Sequence, residues 1–118
     1  MNARDPSCTL TVIVEGALGP AARHGLRELR RALQAASVSF EECPTLDAAA
    51  RGSTLLAVGL PGSPAVAKLL VAAGIAAPPD PETTLIQRTR WQDRPLLLVS
   101  GGDDRGLMYS LLDVAERI

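Results

Sequence analysis

Between the apolar run Pro95-Leu-Leu-Leu-Val99 and the tail LMYSLLDVAERI, the chain reads Ser100-Gly-Gly-Asp-Asp-Arg-Gly106. Glycines, carboxylates and an arginine in so short a stretch admit three chemistries. Free backbone N–H groups at a glycine-rich helix start would cradle a phosphate. Two carboxylates facing each other across a sugar would act as acid and base on a glycosidic bond. The same residues would also close a strand and open a helix. The spacing separates these readings. Neither the GxGxxG pattern nor the GK[ST] of a P-loop is present, and two aspartates in the mouth repel an anion. Neighbouring side chains on a helix point about 100° apart, so Asp103 and Asp104 make a poor catalytic pair. Both read as caps of the last helix, accepting its first N–H groups at the positive end of its macrodipole. Gly101 and Gly102 then let the strand turn sharply. The turn Leu60-Pro-Gly-Ser-Pro64 offers a second helix start, equally unspecific.

Other residue types narrow the chemistry further. His24 is the only histidine, and its place in an amphipathic helix makes it a surface or half-buried structural residue. Nucleophilic catalysis needs a base beside a nucleophile, and one histidine without a cysteine cluster lacks the parts of a zinc set. Cys8 and Cys43 match neither a redox pair nor a zinc knuckle. At the start of one parallel strand and the end of the next, they would lie roughly 16–20 Å apart, beyond disulfide reach. Both read as free, buried thiols. Glu41-Glu42 reads as a solvated strand end. Arg23, Arg27, Arg30 and Arg31 form a solvated helix face that an acidic partner would also fit. Trp91, near a hairpin tip, either stacks on a sugar or packs against the sheet. No catalytic, cofactor-binding or metal-binding residue is assigned.

The elements that hold these residues follow from periodicity. Thr9 to Val14 is a β-branched run and a first strand. Gly19-Pro20 opens a helix whose buried stripe is Ala22, Leu26, Leu29, Leu33 and Ala36. Val38 to Cys43 alternates, as a strand at or near an edge does. Leu46 to Arg51 has room for one or two helical turns. Ser53 to Gly59 is apolar at its centre, the mark of a central parallel strand. Ser63 and Pro64 start a helix that buries Val66, Leu69, Leu70 and Ala73 and ends at Gly74. Ile75 to Pro81 is irregular because its three prolines exclude helix. Glu82 to Trp91 and Arg94 to Ser100 are strands too close for a crossover, hence an antiparallel hairpin. A last helix reaches Ile118 and buries Leu107, Leu111, Val114 or Ala115, and Ile118. The order β-α-β-(α)-β-α-β-β-α predicts an α/β (mixed α+β) fold with a mixed sheet of about five strands. It forms one domain over residues 1–118, irregular at 1–8 and 75–81.

Composition fits that scheme. The chain has 118 residues, 47% of them hydrophobic, and three aromatics in all, so one core is built from aliphatic side chains. Twelve basic against thirteen acidic residues give a formal net charge of −1, which argues against nucleic acid or an anionic membrane as partner. The N-terminus has neither a signal-like h-region nor a membrane-length apolar run; a cytoplasmic location is favoured.

The last third carries a resemblance. Strand PETTLIQR, a turn, and RPLLLVSGGDDRGLMYSLLDVAERI, with Gly102, Arg105, Gly106 and Tyr109 at the strand-to-helix passage, resemble the non-catalytic N-terminal α/β domain of alpha-glucuronidases and related hexosaminidase-type glycoside hydrolases. The resemblance spans residues 81–118; the remainder agrees in element order. It implies a mixed-sheet accessory domain packed on a catalytic barrel that bears the catalytic acids, so none is carried over here. It also implies that Gly102, Asp103, Asp104, Arg105, Gly106 and Tyr109 form a structural junction set against the neighbouring domain. The expected partner is that barrel or a second copy of the chain. A stand-alone module binding a small anionic ligand is the alternative.

Overall fold

The computed structural model describes residues 10–49 and 53–118. Its elements are β1 (Leu10–Val14), α1 (Pro20–Ala35), β2 (Phe40–Cys43), β3 (Thr54–Val58), α2 (Pro64–Ala73), β4 (Thr84–Trp91), β5 (Arg94–Gly101) and α3 (Asp104–Glu116). They build one five-stranded sheet in the order β2-β1-β3-β5-β4. β1, β2, β3 and β5 are parallel, and β4 lies antiparallel to β5. The expected mixed α/β fold is therefore the one observed, with β2 at an edge and β3 in the middle.

Alternation along each strand divides the core in two. Val12, Leu56, Val58 and Val99 face α1 and α3. Ile13, Leu55, Ala57 and Leu98 face α2 on the opposite side. Leu55 to Val58 is buried throughout, as a strand covered on both faces must be. Gly25 was not foreseen as a core position, yet it is buried in α1. A Cβ there would come within 2.9 Å of the Leu111 Cβ, so its absence lets α1 and α3 close together.

Several boundaries differ from expectation. Ala36 is an exposed cap, because the chain leaves α1 through Ser37 at φ 58° and Val38 N–H bonds back to the Leu33 carbonyl. Strand pairing of β2 consequently begins at Phe40. Thr45 to Ala49 make only a turn: Ala48 and Ala49 donate to the carbonyls of Thr45 and Leu46. The rest of the expected helical stretch, residues 50–51, lies outside the described residues. Ser63 precedes α2 as expected, but its hydroxyl donates to the Leu60 carbonyl (3.0 Å), and the Ala65 N–H is met by the Glu15 carboxylate (2.5 Å). Gly74 ends α2 in the left-handed conformation, at φ 69°. Ala73 is half-buried, and Ile118, beyond the end of α3, is 43% exposed. Cys43 is a free thiol, half-buried where full burial was expected, because β2 is an edge strand. Cys8 and Thr9 lie outside the described residues. Among the described residues no helix is long and apolar enough to cross a membrane.

Candidate functional site

The residues singled out at 100–109 sit where β5 passes into α3, and the Asp80 to Thr83 loop lies across that passage. Gly102 N–H donates to the Thr83 carbonyl at 3.0 Å. A Cβ on Gly102 would stand 1.8 Å from the Asp80 carbonyl oxygen, and one on Gly106 2.1 Å from that of Thr83. At Gly101 the obstacle would be the Leu107 nitrogen, 2.4 Å away. None of these three glycines has positive φ. The expected sharp turn is thus not why Gly101 and Gly102 are glycines; for all three the reason is close backbone approach.

Asp103 is the expected N-cap of α3. Its carboxylate accepts the N–H groups of Gly106 (2.8 Å) and Glu82 (2.9 Å). These bonds, Gly106 first, hold its carboxyl below the usual carboxylate range. The second bond also anchors Glu82, whose φ of 59° is unfavourable for a residue with a side chain.

Asp104 departs from expectation. It accepts the N–H groups of Ala21 (2.9 Å) and Ala22 (3.3 Å), and so caps α1 rather than its own helix. The reason is geometric. As the first residue of α3 its side chain leans away from the helix body, and α1 begins at Gly19 with no side-chain cap of its own. A Cβ on Gly19 would lie 2.6 Å from this carboxylate, so glycine makes the space that Asp104 fills. The two aspartates therefore serve two helix ends and do not converge on a common point.

Arg105 is exposed and reaches Glu82 at 3.9 Å. Tyr109, one helical turn on, is 40% exposed. Beneath them Ser110, fully buried, donates its hydroxyl to the Ser100 carbonyl (2.7 Å) and accepts the Leu85 N–H (3.1 Å). Sequence reading missed this link, although a serine between Leu107 and Leu111 on the buried stripe was its signal. Chemically, the two carboxylates already hold the N–H groups of Ala21, Ala22, Glu82 and Gly106, and their negative charge opposes an anion at this helix start. Among the described residues no group of three or more His, Cys, Asp or Glu side chains could hold a metal ion.

His24 is exposed on α1. Cys43 donates to the Thr45 carbonyl at 3.3 Å, and burial, the largest influence, pushes its thiol up, away from the thiolate a nucleophile needs. On the arginine face, Arg30 pairs with Glu42 through two bonds, Arg31 reaches Glu28, and Arg23 donates to the Leu18 carbonyl. Trp91 packs against the α2-side core with Lys68 Nζ 5.7 Å from its ring centre, so its ring contributes to the fold.

No known protein family and no curated protein matches this sequence. The fold itself has counterparts: the chain has the α/β architecture of a segment found within glycoside hydrolases, at a distant level of similarity. One counterpart lies in a GH138 enzyme described as targeting pectin rhamnogalacturonan II, with a TM-score of 0.62 and 13% identity, covering 92% of this chain. Another lies in CpGH84D, with a TM-score of 0.61 and 16% identity, covering 95% of this chain. The matched segments are 13% and 18% of those two chains. At such identities the likeness is one of fold.

Proposed function

We propose that this chain is a non-catalytic accessory domain of a carbohydrate-active glycoside hydrolase, of alpha-glucuronidase or hexosaminidase type, which packs against a catalytic barrel. The observation that carries the reading is the junction at β5 and α3. Its carboxylates are engaged with main-chain N–H groups of three separate segments, which suits holding a domain together better than proton transfer. The recurrence of this fold inside two glycoside hydrolases supports the class. Gly102, Asp103, Asp104, Arg105, Gly106 and Tyr109 then act as the junction that sets the domain against its neighbour, with Arg105 and Tyr109 contributing exposed surface. Incubation of the purified chain with aryl glycosides and uronate-capped xylan fragments should release no product. Turnover by this chain would overturn the proposal. A thermal-shift screen with nucleotides, sugar phosphates and uronic acids should leave the transition unmoved. A specific upward shift would instead indicate a stand-alone anion-binding module, because a ligand that binds only the folded state raises its stability.

A further inference from the structure

A groove of about 790 Å³ opens on the α1/α3 face at the amino ends of the parallel strands. Leu10, Leu56, Leu97 and Ile86 of the sheet form its floor, and Val114 and Ile118 flank it. Leu97 belongs to β5, an interior strand, yet it is only half-buried. On the neighbouring strand, Arg88 stands opposite Leu97 and Arg90 opposite Pro95, so both arginines project to the groove side. Arg88 has neither a hydrogen bond nor an ion pair through its guanidinium among the described residues, while Arg90 donates to the Asp93 carbonyl. Arg117 completes the rim and reaches Asp113 at 3.3 Å. The rim therefore holds three arginines against one aspartate, on a chain whose formal net charge is −1.

An apolar floor with a cationic border selects its occupant by chemistry. We propose that this groove seats a polypeptide segment of the partner domain that presents an apolar ridge flanked by aspartate or glutamate. The inference rests on the accessory-domain reading and adds a second contact with the neighbouring domain, at the end of α3 away from Arg105 and Tyr109, together with its chemistry. Leucine, isoleucine or valine on the ridge would remove the floor from water. Carboxylates beside it would take bidentate bonds from the arginines. A basic segment of equal hydrophobicity would meet like charges and be rejected.

Two synthetic helical peptides test this, sharing one leucine stripe and differing in glutamate or lysine flanks. Each is titrated into the isotope-labelled 118-residue protein, with binding read by amide chemical shifts. The glutamate peptide should bind about tenfold more tightly, a difference of about 1.4 kcal/mol, with shifts centred on Ile86, Leu97 and Val114. Arg88→Glu combined with Arg90→Glu should reverse the preference. Both side chains are exposed, and Arg88→Gln with Arg90→Gln, which should abolish the preference without reversing it, guards against a charge-induced folding defect. High salt should weaken the glutamate complex. Equal affinities, absence of binding, or shifts elsewhere would overturn the inference. So would a concentration-dependent dimer in light scattering that shifts the same amides, because the occupant would then be a second copy. None of these results bears on glycoside turnover, which decides the underlying reading separately.

Discussion

Asp103 and Asp104 are adjacent in sequence and serve different helices, so their substitutions should be separable. Asp104→Ala removes the acceptor for Ala21 and Ala22 and should lower stability by about 1 kcal/mol in urea unfolding, the usual loss of a helix cap. Asp103 should reveal itself through pH. Its folded-state value is depressed by the bonds from Gly106 and Glu82. The carboxylate therefore contributes stability above the unfolded value of about 4, and that contribution is lost as pH falls through the lower folded value. Urea midpoints of the parent should fall more steeply than those of Asp103→Asn across this acidic window; parallel curves would contradict the assignment. The glycines make a third contrast. Gly102→Ala places a Cβ 1.8 Å from backbone and should cost about 3 kcal/mol or more, the upper range of overpacking. Gly62→Ala meets nothing within 4 Å and should be near neutral. That SGGDDRG closes a strand and opens a helix was legible in its types. That Asp104 reaches across 83 positions in the sequence to cap α1 was not, since no local pattern encodes which distant helix lacks a cap.

At the scale of elements, α1 and the β4–β5 hairpin were the most legible parts, each for a physical reason. The α1 stripe repeats at three and four residues because one face meets the sheet. Two alternating runs separated by two polar residues leave no room for a crossover. The structure adds the turn's strain: Gln92 and Asp93 have φ of 50° and 63°, both left-handed, as a two-residue type I′ connection requires. Replacing the pair by Asn-Gly should therefore raise stability by about 1 kcal/mol, read as a higher urea midpoint with unchanged slope. A lower midpoint would mean that the side chains at 92 and 93 contribute contacts outweighing the strain. Boundaries were less legible. Ala36 and Ile118 continue the helical period, yet the left-handed backbone at Ser37 and the end of α3 at Glu116 leave both exposed.

For the whole molecule, the two sides of the sheet are unequally covered. α1 and α3 share one side, whereas α2 is the sole helix on the other among the described residues. Leu69, fully buried in α2, should be correspondingly costly to truncate: Leu69→Ala should lose about 3 kcal/mol in equilibrium unfolding. Val71, 83% exposed on the same helix, should accept aspartate with a change within about 0.5 kcal/mol. The strand order also has a consequence for biosynthesis. β5 sits between β3 and β4 and is the last strand in the chain. A ribosome releasing the chain from its amino end delivers β3 long before the strand that will cover its open side. Until β5 emerges, the run Leu55–Val58 presents unpaired backbone groups and apolar side chains, the combination most prone to wrong association. Stalled or prematurely ended synthesis before Arg94 would thus leave the sheet's future centre as an adhesive edge, and yield of intact protein should depend on how quickly the final hairpin follows.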